Sequence, residues 1–124
     1  MNKWLLLAAG GVCGTLARYL LSGVVYRWLG TAFPYGTMAV NLLGCFVIGF
    51  LGTLAEQKFL LGPEFRLFWM VGLLGAFTTF STLIYESWGF LEKGQMLLTG
   101  ANLVGSVVFG LAAFWAGHVA ASLL

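Results

Sequence analysis

A glycine and four hydroxyl side chains interrupt an otherwise apolar stretch of this sequence, at Gly75, Thr78, Thr79, Ser81 and Thr82. Hydrocarbon cannot hydrogen-bond to backbone N–H and C=O groups, so a chain at membrane depth leaves the helical conformation only where protein or water supplies partners. In many transport proteins the carbonyls of such an unwound turn coordinate cations, and the adjoining helix ends face charge. The run therefore predicts a helix break at an ion or substrate site.

Polar side chains at helical spacing could supply hydrogen bonds to such a site, since residues four apart share a helix face. Three such pairs are Thr37 and Asn41, Thr82 and Glu86, and Asn102 and Ser106. Thr78 would extend the second pair by one step if the helix resumes after its break. Asn41 has two interpretations, a hydrogen bond between helices, which is the commoner use, or a place in the lining of a pore. Amides and hydroxyls donate hydrogen bonds and aromatic ring edges carry positive charge, so this chemistry favours an anion over a cation.

Arg18 lies several residues inside the first apolar stretch. A charge at that depth costs about 3 kcal/mol unless it is paired or hydrated. Its side chain could extend to the membrane surface, or it could draw anions toward a vestibule, and the sequence leaves both open. Glu86 lies near the end of its stretch and could reach the interface, so a buried proton carrier is not assumed.

The composition is that of an integral membrane protein. Of 124 residues, 60% are hydrophobic and only 8% are charged, whereas a soluble protein surface needs a charged fraction nearer a quarter. Crossing a bilayer takes about 20 apolar residues, and four stretches qualify, at approximately 4–29, 35–55, 67–90 and 96–122. We expect one all-α membrane domain over 1–124, with four transmembrane helices and the third broken in mid-membrane.

The basic residues give little guidance about orientation. With four spans both termini share a side, which places Lys3, Lys58 and Arg66 on one face and Arg27 and Lys93 on the other. So small a difference in basic residues is compatible with insertion in both orientations, followed by antiparallel pairing of the two forms. It is equally compatible with a single orientation that other features of the chain decide. Four helices enclose little interior, so a pathway where two chains meet is favoured, and with it an oligomer.

Four motifs across the whole chain resemble those of the Fluc (CrcB) fluoride channels. They are GGxxGxxxRY from residue 10, GTxxVNxxG from residue 36, GxxGxxTTFSTxxxE from residue 72, and the pair Gly105-Ser106. The third motif is specific, whereas the glycine motifs alone would be weak. The length and the four-span plan agree with the resemblance.

The resemblance implies an antiparallel, dual-topology homodimer with two pathways that let fluoride leave the bacterial cytoplasm passively, which lowers its toxicity. The implied partners are fluoride, a second copy of the chain and membrane lipid, with no nucleic acid. The implied location is the cell membrane, as a multi-pass protein. The resemblance also implies one structural Na⁺ at the dimer centre, not transported, held by the backbone carbonyls of Gly75 and Thr78.

Carried over by motif, Asn41 and Phe80 are expected to line the pore. The wider set of expected pathway residues is Asn41, Phe80, Thr37, Thr82, Ser106, Leu83, Glu86 and Arg18. The family commonly has a second phenylalanine where this chain has Leu83. An aliphatic side chain has no positive ring edge, so conduction is expected to depend more on Phe80 and the hydroxyls.

Two other functions are compatible with parts of the pattern. A small dual-topology proton-coupled exporter would need a titrating carboxylate in its transport site, and Glu86 is the candidate. A non-conducting assembly subunit would use its glycine faces only for packing. An enzyme is not expected, because the sequence offers no nucleophile–base pair and no metal-ligand cluster.

Overall fold

The structure is a computed structural model, and it describes residues 2–124. In this range four helical spans are long and apolar enough to cross a bilayer. They are the first span (Lys3–Leu29), the second (Tyr35–Glu56), the third (Pro63–Glu92) and the fourth (Met96–Ser122). The third begins at Pro63, earlier than residue 67, because a proline is well suited to the first turn of a helix, where no hydrogen-bonded N–H is needed.

The spans pack as two pairs, the first against the third and the second against the fourth. Glycines allow the backbones of each pair to approach closely. A Cβ added at Gly14 would lie 2.9 Å from the carbonyl carbon of Leu73, and one at Gly10 would lie 3.2 Å from Gly72 Cα. In the second pair, a Cβ added at Gly117 would lie 2.9 Å from the backbone nitrogen of Phe50.

A small apolar core joins the two pairs. Val40 of the second span is fully buried and packs with Leu74 and Phe77 of the third. Partly buried side chains from the first span, Ala17 and Leu21, also pack against this cluster. The cluster fixes the end of the third span's opening helical segment against both neighbours.

The third span is not one continuous α-helix. Pro63–Phe65 is α-helical, Arg66–Leu73 forms a wider π-helix, and Leu74–Phe77 is α-helical again. Thr78 and Thr79 are extended, with ψ angles of 156° and 115°, and the α-helix resumes over Phe80–Glu92. We call 63–77 the leading half, Thr78 and Thr79 the break, and Phe80–Glu92 the trailing half. No residue pattern in the sequence predicts the π-helix, a conformation that is rare and is often found at functional sites.

A candidate ion pathway around the break

Asn41 takes the place of the missing helical hydrogen bonds at the break. Its Oδ1 accepts a hydrogen bond from Thr79 N at 2.7 Å, and its Nδ2 donates to Thr79 O at 3.1 Å. Both backbone groups of Thr79 are thereby satisfied although the residue is not helical. The Asn41 side chain thus links the second and third spans through two hydrogen bonds. The second N–H of its amide can donate to another acceptor.

Thr79 also starts the trailing half as its N-cap. Its Oγ1 accepts from Thr82 N at 3.3 Å and donates to Thr82 Oγ1 at 3.0 Å. A hydroxyl at this position satisfies one of the first N–H groups of a helix, a contribution of about 1 kcal/mol. The sequence singled out Thr79 as part of the hydroxyl run, but Thr79 was not among the expected pathway or cation-site residues.

Arg18 is tied to the break rather than extended to the membrane surface. Its Nε donates to the carbonyl oxygen of Ala76, in the last turn of the leading half, at 3.0 Å. Within residues 2–124 its two Nη nitrogens make no hydrogen bond, so they remain available to an anion. The contact orients the guanidinium toward a space enclosed by polar side chains.

That space, which we call the polar cavity, has a volume of about 220 Å³. Its wall includes Arg18, Tyr26, Thr37, Thr79, Thr82 and Glu86. Four of these were expected in an anion pathway, and the structure brings them together. Tyr26 was missed, although Arg18, Ser22 and Tyr26 follow one another at four-residue steps, a polar stripe that could have revealed it.

Glu86 is held in this cavity by two hydroxyls. Tyr26 Oη donates to its Oε2 at 3.1 Å, and Thr37 Oγ1 donates to the same atom at 3.0 Å. The other carboxylate oxygen, Oε1, is buried without a hydrogen-bond partner in the described part of the chain. Glu86 therefore faces the polar cavity, with one carboxylate oxygen bonded and the other buried.

A second space lies on the other side of the break and has a volume of about 400 Å³. We call it the groove, because Phe80 in its wall is 75% exposed. The expected site residues that line it are Asn41, Gly75, Thr78, Phe80, Leu83 and Ser106. The ten expected residues therefore divide between two spaces, and Thr79 lines both.

Thr78 does not continue the polar stripe of Thr82 and Glu86. Its hydroxyl donates to Leu74 O at 3.0 Å, and the residue lines the groove, whereas Thr82 and Glu86 line the polar cavity. The expectation of one stripe assumed continuous helical geometry. Two extended residues turn the trailing half relative to the leading half, so spacing across the break no longer predicts a shared face.

The break also leaves backbone carbonyls without helical partners. Thr79 N would normally bond to Gly75 O, but it bonds to Asn41 instead. Neither Gly75 O nor Thr78 O receives any of the hydrogen bonds that residues 2–124 make across the break. Both residues line the groove. Carbonyl oxygens suit a hard cation, and among the described residues no cluster of His, Cys, Asp or Glu offers an alternative metal site.

The remaining groove residues differ in exposure. Leu83 is buried, whereas the Phe80 ring lies largely open. Ser106 Oγ is buried and, within residues 2–124, has no hydrogen-bond partner. An unpaired buried hydroxyl costs about 1–3 kcal/mol, so this atom is a candidate contact for an ion or another polypeptide.

Asn102 has a structural position that the sequence could not assign. It is 1% exposed, and its Nδ2 donates to Ser87 Oγ at 3.0 Å, while Ser87 Oγ donates to Leu83 O at 2.8 Å. This chain of bonds holds the trailing half against the fourth span. Asn102 and Ser106 thus share a helix but serve different contacts.

The fold and the cavities define a multi-pass membrane protein with hydrogen-bonding spaces around an interrupted helix. The family model described as CrcB-like protein, Camphor Resistance (CrcB), matches residues 5–118, and the chain belongs to this family. The resemblance seen in the motifs is confirmed.

Relatives of similar length carry the name "Fluoride-specific ion channel FluC". The protein of Solidesulfovibrio magneticus is 47% identical over 117 residues, covering 94% of each chain. That of Chlorobaculum tepidum is 46% identical over 99% of this chain and 97% of its own. That of Geobacter sulfurreducens is 44% identical over all of both chains. The family is one of ion channels and not of enzymes, and its bacterial members lie in the plasma membrane.

Proposed function

We propose that this chain is a fluoride-selective channel that lets fluoride leave the bacterial cytoplasm passively and so lowers its toxicity. The proposal is carried by one observation: hydrogen-bond donors surround the break of a chain whose full-length relatives are named fluoride-specific channels. A strongly hydrated anion sheds water only where other donors replace it. Arg18, Asn41, Thr37 and Thr82 supply guanidinium, amide and hydroxyl groups of this kind.

We further propose that the pathway follows the polar cavity and the groove on the two sides of the break. Phe80, Leu83 and Ser106 belong to the groove part, and Glu86 to the polar part. The support for this route is that Thr79 lines both spaces and that Asn41 holds Thr79. The exposed ring edge of Phe80 and the unpaired hydroxyl of Ser106 are then positive contacts for the anion in the groove.

The groove is proposed to receive a second, antiparallel copy of the chain in a dual-topology homodimer. Free carbonyls and an unpaired hydroxyl in its wall would otherwise face lipid, where each costs several kcal/mol. The near balance of basic residues at the two membrane faces is compatible with insertion in both orientations. A second copy with the same break would cover these groups with protein.

A structural Na⁺, which is not transported, is proposed between the two breaks. The residues fit it, because Gly75 O and Thr78 O are without helical partners and an added Cβ at Gly75 would meet nothing within 4 Å. One chain offers two such oxygens, whereas a hard cation takes about six. Two copies related by a twofold axis would supply four. The ion would neutralise the carbonyl dipoles of the facing breaks.

Ion efflux from liposomes tests the channel proposal. Purified protein is reconstituted into vesicles loaded with potassium fluoride or potassium chloride, and efflux is started with valinomycin and followed with an ion-selective electrode. We expect rapid fluoride efflux, chloride efflux near that of protein-free vesicles, and no requirement for a proton gradient. Fluoride or drug movement that occurs only with proton exchange would establish the exporter instead, and no flux with an intact dimer would establish a packing subunit.

A further inference from the structure

Polar space continues from the polar cavity toward one end of the molecule. A third space, the mouth cavity, has a volume of about 320 Å³ and is lined by Thr31, Pro34 and Lys93 of the connectors. It shares two side chains with the polar cavity, Tyr26 and Glu86. An anion that moved from the mouth cavity into the polar cavity would therefore pass beside this pair.

The hydroxyl protons of Tyr26 and Thr37 are both used in hydrogen bonds at this junction. A tyrosine or threonine hydroxyl has one proton, and both Tyr26 and Thr37 give theirs to Oε2 of Glu86. The 3.4 Å contact between the two hydroxyl oxygens therefore adds no third bond. The carboxylate is held by one oxygen while Oε1 is unpartnered, so with either hydroxyl removed a single hydrogen bond would remain to fix its orientation.

The Tyr26 ring is itself fixed by the backbone of the second span. Gly36 leaves the space that the ring occupies, since an added Cβ would lie 2.7 Å from Tyr26 Cδ2. The hydroxyl of Tyr26 is thus directed at Glu86 by packing at the start of the second span. The ring position does not depend on the hydrogen bond that the hydroxyl makes.

We propose that Tyr26 is a positioning residue of the ion pathway, which keeps the Glu86 carboxylate against the wall where the mouth cavity meets the polar cavity. The inference rests on the proposed function, because it assigns Tyr26 a part in the passage of a small hydrated anion. Without this hydroxyl only Thr37 holds the carboxylate, which can then turn toward the junction, where its negative charge repels the anion. Tyr26 thereby governs how fast anions pass, although it makes no bond to them in this arrangement.

Fluoride efflux from liposomes tests this role through Tyr26→Phe, which removes one oxygen and keeps the ring. We expect efflux about tenfold slower, the factor given by one hydrogen bond of about 1.4 kcal/mol. Tyr19→Phe on the same helix is the matched control, since the Tyr19 ring is 77% exposed, and it should conduct at the wild-type rate. In a Glu86→Gln background the charge is gone, so adding Tyr26→Phe should change efflux by less than about twofold.

An infrared measurement gives a readout that does not depend on conduction. The chain has four acidic residues, so isotope-labelled glutamate and subtraction of the Glu86→Gln spectrum isolate the Glu86 carboxylate band. Tyr26→Phe should shift this band and Tyr19→Phe should not.

Each outcome decides between the proposals. An unshifted band, wild-type efflux in Tyr26→Phe, or an equal loss of efflux with and without the Glu86 charge would overturn the positioning role. If the wild-type protein carries no fluoride, the proposed function fails, and the infrared band still decides whether Tyr26 holds Glu86.

Discussion

The polar cavity and the groove meet at Thr79 but use their polar groups differently. In the polar cavity, Tyr26 and Thr37 donate to Glu86 within one chain, and the groups left without a partner among residues 2–124 are side-chain atoms, Glu86 Oε1 and the Nη nitrogens of Arg18. In the groove, Ser106 Oγ has no partner within residues 2–124, and two carbonyls of the break have lost their helical donors. Both spaces therefore keep polar atoms without a partner, but only the groove presents backbone carbonyls that have lost their helical donors. Side chains can turn toward other partners, whereas the carbonyls of a break are fixed by the backbone, which is why the proposed cation and second copy are assigned to the groove.

Replacing Asn41 should have the largest effect, because this side chain holds the residue between the two spaces. Asn41→Ala removes both bonds to Thr79 and leaves its backbone groups unpaired, at about 1–3 kcal/mol each. We expect fluoride efflux from liposomes to fall to the rate of protein-free vesicles. Leu43→Ala on the same helix, 45% exposed and outside both spaces, is the control and should conduct normally. Wild-type efflux in Asn41→Ala would show that conduction does not depend on the hydrogen bonds between Asn41 and Thr79.

Gly75→Ala should show whether a second copy of the chain fills the groove. Inside one chain an added Cβ meets nothing within 4 Å, so the monomer fold should tolerate it. In the proposed dimer the methyl group enters the groove beside the cation, so we expect loss of the dimer in detergent, measured by light scattering, together with loss of efflux. Gly23→Ala also meets nothing within 4 Å and lies outside the groove, so its dimer should persist. An unchanged dimer in Gly75→Ala would mean that no second copy fills the groove.

A smaller effect is expected from substitutions that disturb the packing of the leading half against the first span. At Gly14 an added Cβ would lie 2.9 Å from the carbonyl carbon of Leu73, whereas at Gly11 it meets nothing within 4 Å. Gly14→Ala should lower the free energy of unfolding by about 1–3 kcal/mol, measured by titration from mild detergent into a denaturing one. Gly11→Ala should leave it nearly unchanged. Equal stabilities of the two variants would contradict the close approach of the first and third spans.

The smallest effect is expected from a substitution that lies outside both the groove and the polar cavity. Thr53 Oγ1 lies 2.8 Å from His118 Nδ1, joining the second and fourth spans, and neither residue lines the groove or the polar cavity. Thr53→Val should cost about 1 kcal/mol of stability through the lost hydrogen bond and leave fluoride efflux unchanged. A large loss of efflux would show that polar contacts outside the two spaces also control conduction.

Local sequence was sufficient for the spans because hydrophobic length alone decides whether a segment can cross a bilayer. It also located the hydroxyl run, since five small or polar residues in an apolar stretch need partners. It did not anticipate the π-helix at Arg66–Leu73, which no local residue signal marks. Nor did it find Tyr26, because the stripe of Arg18, Ser22 and Tyr26 does not by itself identify the partner of the hydroxyl, which lies sixty residues away.

The sequence by itself determined a four-span membrane chain and its CrcB family, and it singled out the hydroxyl run of the third span. Only the tertiary structure decided which carbonyl each polar side chain meets: Asn41 pairs with Thr79, Arg18 with Ala76, and Thr78 is separated from Thr82 and Glu86. The physical reason is that hydrophobicity and helical period are properties of neighbouring residues. Hydrogen-bond partners at a break are set by how separate helices pack, since the backbone has stopped supplying them itself.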